Sequence, residues 1–175
     1  PELIREQVSY AKKGTDVPVA VKLTPNYAYI DDIAKAAEEG GADALISANS
    51  VHALHSVDIE KEELTLPAFG GYSGPAIKPI NLKCTAQAFQ AVDIPIFGVG
   101  GIRSWQDAIE YIMVGASAVQ VATAPQWKGT DVFKKINKGI ESFMEEKGYD
   151  TIQEFKGVAI ENLSNAEDLS ELTPQ

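Results

Sequence analysis

Two phrases occur twice in this chain: Asp16-Val-Pro-Val returns as Asp93-Ile-Pro-Ile, and Gly41-Ala-Asp-Ala returns as Gly115-Ala-Ser-Ala. Each opens a short apolar run, and each run is followed by a stretch of helical periodicity. A two-unit block that repeats in this way is the mark of a βα architecture, in which every strand is buried beneath helices. The runs are Val17–Thr24, Ala42–Asn49, Ile94–Gly100 and Ala118–Thr123. Their near-continuous apolar character is what a parallel sheet requires.

The intervening segments carry their own punctuation. Residues 29–39 place Ile30, Ile33, Ala34 and Ala37 on one face, with Asp31 and Asp32 near the positive end and Gly40-Gly41 as a stop. Ser104 is suited to cap a helix over Trp105–Val114, and Pro79 to the first turn of one reaching about Val92. Residues 1–13 read as a helix before the first strand, and 130–147 as a last amphipathic helix. A short helical pattern follows around Ile152–Phe155. Eight βα units close a barrel and four are present; four parallel strands could form an open sheet, but the motifs at the strand ends point to an α/β half-barrel. Residues 1–160 form that half and 161–175 a polar tail. An insertion at about 51–78 is too long for an ordinary βα loop, and such insertions gather at the strand C-termini, where ligands bind.

Composition excludes several classes of function. The formal net charge is −10, from 25 acidic and 15 basic residues among 175. That balance argues against nucleic acid and anionic membrane surfaces, both of which call for clustered cations. No apolar run has the length of a membrane span. A single cysteine, Cys84, cannot form an intrachain disulfide or a cysteine-built metal or iron–sulfur site, and a reducing, cytoplasmic setting is the default. His52 and His55 have no third ligand beside them, so no metal site is expected. Cys84 lies within a helix and reads as core, and Trp105 and Trp127 as packing around the helices.

Chemistry is suggested where strands end. Gly98-Val-Gly-Gly-Ile102 finishes a strand and precedes a helix start; adjacent glycines let backbone approach a ligand and cradle phosphate, or simply make a tight turn. The fourth run ends Val121-Ala-Thr-Ala124, bringing Thr123 to the same edge, and barrels often bind phosphate after their last two strands. Lys22 places a charge in an apolar strand, where it needs either an anionic ligand or an internal carboxylate. Asn49 and Ser50 end the second strand with hydrogen-bonding groups. Residues 70–78 form a glycine-rich loop, and Lys78 and Arg103 are local cations that could face a phosphate.

Lys22-Leu-Thr-Pro-Asn26, Gly70-Gly-Tyr-Ser-Gly-Pro-Ala-Ile-Lys-Pro-Ile80, Gly98-Val-Gly-Gly-Ile102 and Val119-Gln-Val-Ala-Thr-Ala124 together resemble the FMN-binding barrel of dihydroorotate and dihydropyrimidine dehydrogenases. The segments Gly139–Gly148 and Thr151–Gly157 look closer to the dihydropyrimidine branch. The resemblance implies that the chain is the C-terminal half of a (β/α)8 TIM barrel, with FMN at the barrel mouth, in an oxidoreductase that passes hydride between flavin and a pyrimidine C–C bond. Lys22 then matches the lysine at the flavin ring. Gly74, Gly100, Gly101, Ala122 and Thr123 match positions around the flavin and its phosphate. Asn49 and Ser50 stand where an Asn-Thr pair binds the pyrimidine. The family's acid/base Cys or Ser precedes the first strand seen here, so no catalytic residue is expected in this chain. Iron–sulfur clusters and NAD(P) would enter only through missing domains or partner subunits. Partners implied are a pyrimidine-like small molecule, the missing N-terminal half of the barrel or a chain supplying it, and an electron-transfer subunit. Two other readings remain: a noncatalytic half-barrel or interaction module in an electron-transfer complex, and a flavin-free barrel for another phosphorylated metabolite.

Overall fold

The computed structural model describes residues 1–163. The elements run α1 (Glu2–Lys13), β1 (Ala20–Lys22), α2 (Ile30–Glu39), β2 (Ala44–Ser47), β3 (Val51–Ala53), β4 (Val57–Asp58), β5 (Glu63–Leu64), β6 (Gly70–Tyr72), α3 (Lys78–Ala91), β7 (Ile96–Val99), α4 (Trp105–Met113), β8 (Ala118–Gln120), α5 (Thr123–Lys128) and α6 (Asp131–Lys147). A 3-10 turn precedes α3 at Pro75–Ile77, and two more, Ile152–Glu154 and Val158–Asn162, follow α6. Residues 164–175, most of the expected polar tail, lie outside the described residues.

Four strands form one sheet in the order β1-β2-β7-β8, every pair parallel. The repeated phrases open these strands, and the register follows them: Val21 lies beside Leu45 and Leu45 beside Ile96. This is the α/β half-barrel. The strands are shorter than their apolar runs. The fourth stops at Gln120, and Thr123, read as its end, instead opens α5.

Pleating sends alternate residues to opposite faces. Toward the helices go Leu45 and Ile96, in a core with Ile33, Ala34 and Ala37 of α2 and Cys84 and Ala88 of α3. Gly98 faces the same side, where a Cβ would stand 2.5 Å from the Tyr111 ring. A second core joins Tyr111 of α4 with Val132 and Ile136 of α6. A third centres on Phe155, stacked on Tyr149 and edge-on to Phe143, which seals the outer side of α4 and α6. On the other face of the sheet lie Lys22, Ile46, Phe97 and Val99, all incompletely buried. No helix among the described residues covers that face. A closed barrel would make it the interior.

Helix termini follow the chemistry expected of them. Ser104 caps α4 and Asp107 completes a reciprocal capping box, the Asp107 carboxylate accepting from the Ser104 amide at 3.1 Å. Gly148 ends α6 in the left-handed conformation, at φ 75°. The insertion departs from the expected loop. It forms two antiparallel ribbons, β3 with β6 and β4 with β5, and His52 lies on β3. Among the described residues no helix is long and apolar enough to cross a membrane.

Candidate functional site

Parallel strands bring all their C-terminal ends to one edge, and a cleft of about 320 Å³ opens there. β1 contributes Lys22. The turn after β2 contributes Asn49 and Ser50, β7 leads into Gly100 and Gly101, and Ala122 and Thr123 follow β8. The returning end of the insertion supplies Gly71, Ser73 and Gly74, and α5 supplies Gln126 and Trp127. The eight residues singled out in the sequence, spread over 102 positions from Lys22 to Thr123, thus line a single cleft.

Backbone conformation explains the glycines. Gly100 and Gly101 have φ of 128° and 72°, which side chains resist. A Cβ on Gly100 would stand 2.8 Å from Cγ of Asn81, and one on Gly101 would stand 2.8 Å from Cβ of Lys78. These glycines therefore let the turn pack on α3 as well as leaving backbone open to the cleft. At Gly74 the demand is dihedral, with φ at 92°, since a Cβ would make only ordinary contact with Trp127.

Asn81 joins the two strands behind this turn. It is fully buried, and its Nδ2 donates to the carbonyls of Val99 at 2.7 Å, Ala48 at 3.2 Å and Asn49 at 3.3 Å. Its Oδ1 has no partner among the described residues. The Tyr111 hydroxyl donates to the Gly100 carbonyl at 2.7 Å. Burial pushes that phenol far up, so it remains a donor. Sequence reading missed Asn81, although a signal existed: Asn81, Cys84, Thr85 and Ala88 form the buried stripe of α3, and an amide on such a stripe needs a purpose. On the opposite wall, Asn26 ties the loop after β1 to the insertion. Its Oδ1 accepts from the His52 amide at 2.8 Å and its Nδ2 donates to the Ser50 carbonyl at 3.3 Å.

Charge is distributed unevenly. The cleft lining carries Lys22 and Arg103 and no carboxylate, imidazole or thiol, in a chain whose net charge is −10. Neither cation makes an ion pair among the described residues. Lys78, also a candidate phosphate cation, is committed elsewhere: its Nζ lies 2.7 Å from Asp107 and 2.8 Å from Glu110. Burial alone would lower its pKa, but the two carboxylates outweigh burial and hold it above the ordinary lysine value. Burial likewise pushes Asp107 up, and hydrogen bonds from Lys78, the Arg103 amide and Ser104 overcome it, leaving the carboxyl below its ordinary range. With these groups the cleft can bind and orient an anionic, polar ligand, while its lining offers no carboxylate, imidazole or thiol for proton transfer.

The remaining candidates divide. Cys84 is buried in the core, and burial pushes its thiol up. Trp105 packs on Phe143 as expected, whereas Trp127 is 64% exposed at the cleft, a correction to its reading as helix packing. His55 meets Thr65 at 2.9 Å within the insertion. Among the described residues no group of three metal-ligating side chains is assembled.

Residues 1–144 match the family described as dihydroorotate dehydrogenase. The chain is 48% identical over 160 residues to the catalytic subunit of dihydroorotate dehydrogenase B (NAD(+)) from Methanothermobacter thermautotrophicus, covering 91% of this chain and 53% of that protein. Identity to the same subunit from Pyrococcus abyssi is 43% over 161 residues, 91% of this chain and 54% of that protein. For Methanosarcina mazei it is 46% over 162 residues, 92% and 51%. The chain belongs to the dihydroorotate dehydrogenase family and spans about half the length of these curated relatives.

Proposed function

We propose that the cleft binds FMN and a pyrimidine, as part of an enzyme that oxidises dihydroorotate. The observation that carries this reading is the lining itself: two cations unpaired among the described residues and no carboxylate, beside a turn whose glycines bare the backbone. These features fit a phosphorylated, electron-accepting ring system. When bound, FMN would supply the hydride acceptor for the pyrimidine C–C bond.

The chain's own residues bind and orient. Lys22 sets a positive charge at the flavin ring. Gly74, Gly100, Gly101, Ala122 and Thr123 surround the flavin and its phosphate, with backbone replacing side-chain bulk. Asn49 and Ser50 hydrogen-bond the pyrimidine, and Ser50 is held by its own amide donating to Asn49 Oδ1 at 2.9 Å. The proton removed from the substrate goes to a group outside this chain, as do the electrons, through a subunit that handles NAD(+), in keeping with the names of the relatives. Those relatives favour dihydroorotate over the dihydropyrimidines suggested by residues 139–157.

The test is the absorbance spectrum of the purified complete protein, followed by turnover with dihydroorotate and, separately, dihydrouracil. One flavin per cleft and faster turnover of dihydroorotate are expected. A protein that neither retains nor takes up FMN would overturn the reading. Preference for dihydrouracil would move the chain to the dihydropyrimidine branch, and bound flavin without turnover of either would favour a noncatalytic module.

A further inference from the structure

We infer that Arg103 is the side chain by which this cleft recognises a terminal phosphate monoester, and so selects FMN over unphosphorylated riboflavin. The inference rests on the reading of the cleft as a flavin site and adds to it a specificity-determining residue.

Three observations converge on Arg103. First, of the cations near the glycine turn, Lys78 is neutralised by Asp107 and Glu110, at 2.7 and 2.8 Å, and does not line the cleft. Arg103 does line it and has no carboxylate partner among the described residues. Second, the backbone of Arg103 is held at both ends while its side chain is left free. Its amide donates to Asp107 Oδ2 at 3.0 Å, and its carbonyl accepts from Lys128 Nζ at 3.2 Å. The guanidinium thus hangs from an anchored hinge two residues after Gly101. Asp107 serves both purposes, removing Lys78 from competition and fixing the residue that replaces it.

Third, the two free cations are separated. Lys22 is on β1 and the Arg103 turn follows β7, two strands away in the sheet. Adjacent strands lie about 4.8 Å apart, so β1 and β7 run about 10 Å apart. An extended ligand with an electron-rich ring at one end and a phosphate at the other can engage each of them separately. A guanidinium offers a planar pair of donors matched to phosphate oxygens, which Lys22, a point charge, does not.

The experiment compares Arg103→Gln and Arg103→Lys with the wild type in the complete protein, titrating the apoprotein with FMN and with riboflavin and reading flavin fluorescence. Arg103 is exposed, so neither substitution threatens the fold. The expected result is roughly tenfold weaker FMN binding in Arg103→Gln, partial recovery in Arg103→Lys, and riboflavin affinity unchanged in both. Unchanged FMN affinity in Arg103→Gln would overturn the inference, and so would equal weakening of FMN and riboflavin, which would place Arg103 at the ring. A wild-type protein that binds neither flavin would overturn the underlying reading instead.

Discussion

Lys78 Nζ lies 2.7 Å from Asp107 Oδ1, joining the first turn of α3 to the capped start of α4 directly behind the Gly100-Gly101 turn. The pair closes the gap between two helices whose N-termini both face the cleft edge. It also decides which cation remains available to a ligand.

The first prediction concerns this pair and pH. Asp107→Asn removes the charge from a nearly buried position and should cost about 1–3 kcal/mol at neutral pH. Asp107 sits below its ordinary 3.8, so its contribution is complete above that value and is lost as pH falls through the lower folded value. Lys78 sits above its ordinary 10.5, so its contribution is complete below that value and fades as pH rises past the higher folded one. Urea midpoints of wild type and variant should therefore differ by a constant amount from about pH 5 to 9. The gap should narrow as pH falls below the ordinary carboxyl range, and a gap with no narrowing in acid would show that the cap geometry, not the charge, is responsible.

On the proposed reading of the cleft as a flavin site, Lys22→Ala should lower the reduction potential of the bound flavin by roughly 20–40 mV, because the reduced, more negative ring would lose a nearby cation. Spectroelectrochemical titration of the variant measures this. An unchanged potential would move Lys22 away from the ring and toward the phosphate or the substrate.

Asn81→Asp exchanges the shared Nδ2 donor for an oxygen facing the carbonyls of Ala48, Asn49 and Val99. Loss of three hydrogen bonds and burial of a carboxyl should cost about 3 kcal/mol or more. Denaturant unfolding reads the stability, and FMN retention under mild conditions reads the proposed site. If retention survives while stability falls, Asn81 supports the sheet without positioning the cleft walls.

Gly98→Ala should destabilise by about 1–3 kcal/mol, because the new methyl meets the Tyr111 ring at 2.5 Å inside a filled core. Gly70→Ala, where a Cβ would meet nothing within 4 Å, should stay within about 0.5 kcal/mol. Thermal unfolding of the two variants side by side distinguishes a packing requirement from a general intolerance of strand glycines.

Much of this fold is legible in the sequence. The repeated Asp-Val/Ile-Pro and Gly-Ala phrases located four strands, Ser104 and Gly148 bounded helices, and the residues at strand ends pointed to one edge. These are local properties: strand and helix periods, caps and turn glycines operate within a few residues, and parallel connectivity then carries every strand end to the same side. Even so, Thr123 was placed one element early, because Val121 and Ala122 continue the apolar character of a strand that has already ended at Gln120.

Only the tertiary structure decided how distant side chains share the site. Lys78, Arg103 and Lys22 are alike in sequence as cations beside glycine or apolar residues. Lys78 is neutralised by carboxylates 29 and 32 positions away, while Arg103 lines the cleft with no ion pair among the described residues. Asn81 reaches three carbonyls 18 to 33 positions distant, and Trp127 reaches the cleft because α5 turns back over it. Such pairings depend on distances that packing sets after the chain has folded, and an electrostatic or hydrogen-bond partner within a few ångströms leaves no periodic trace along the sequence.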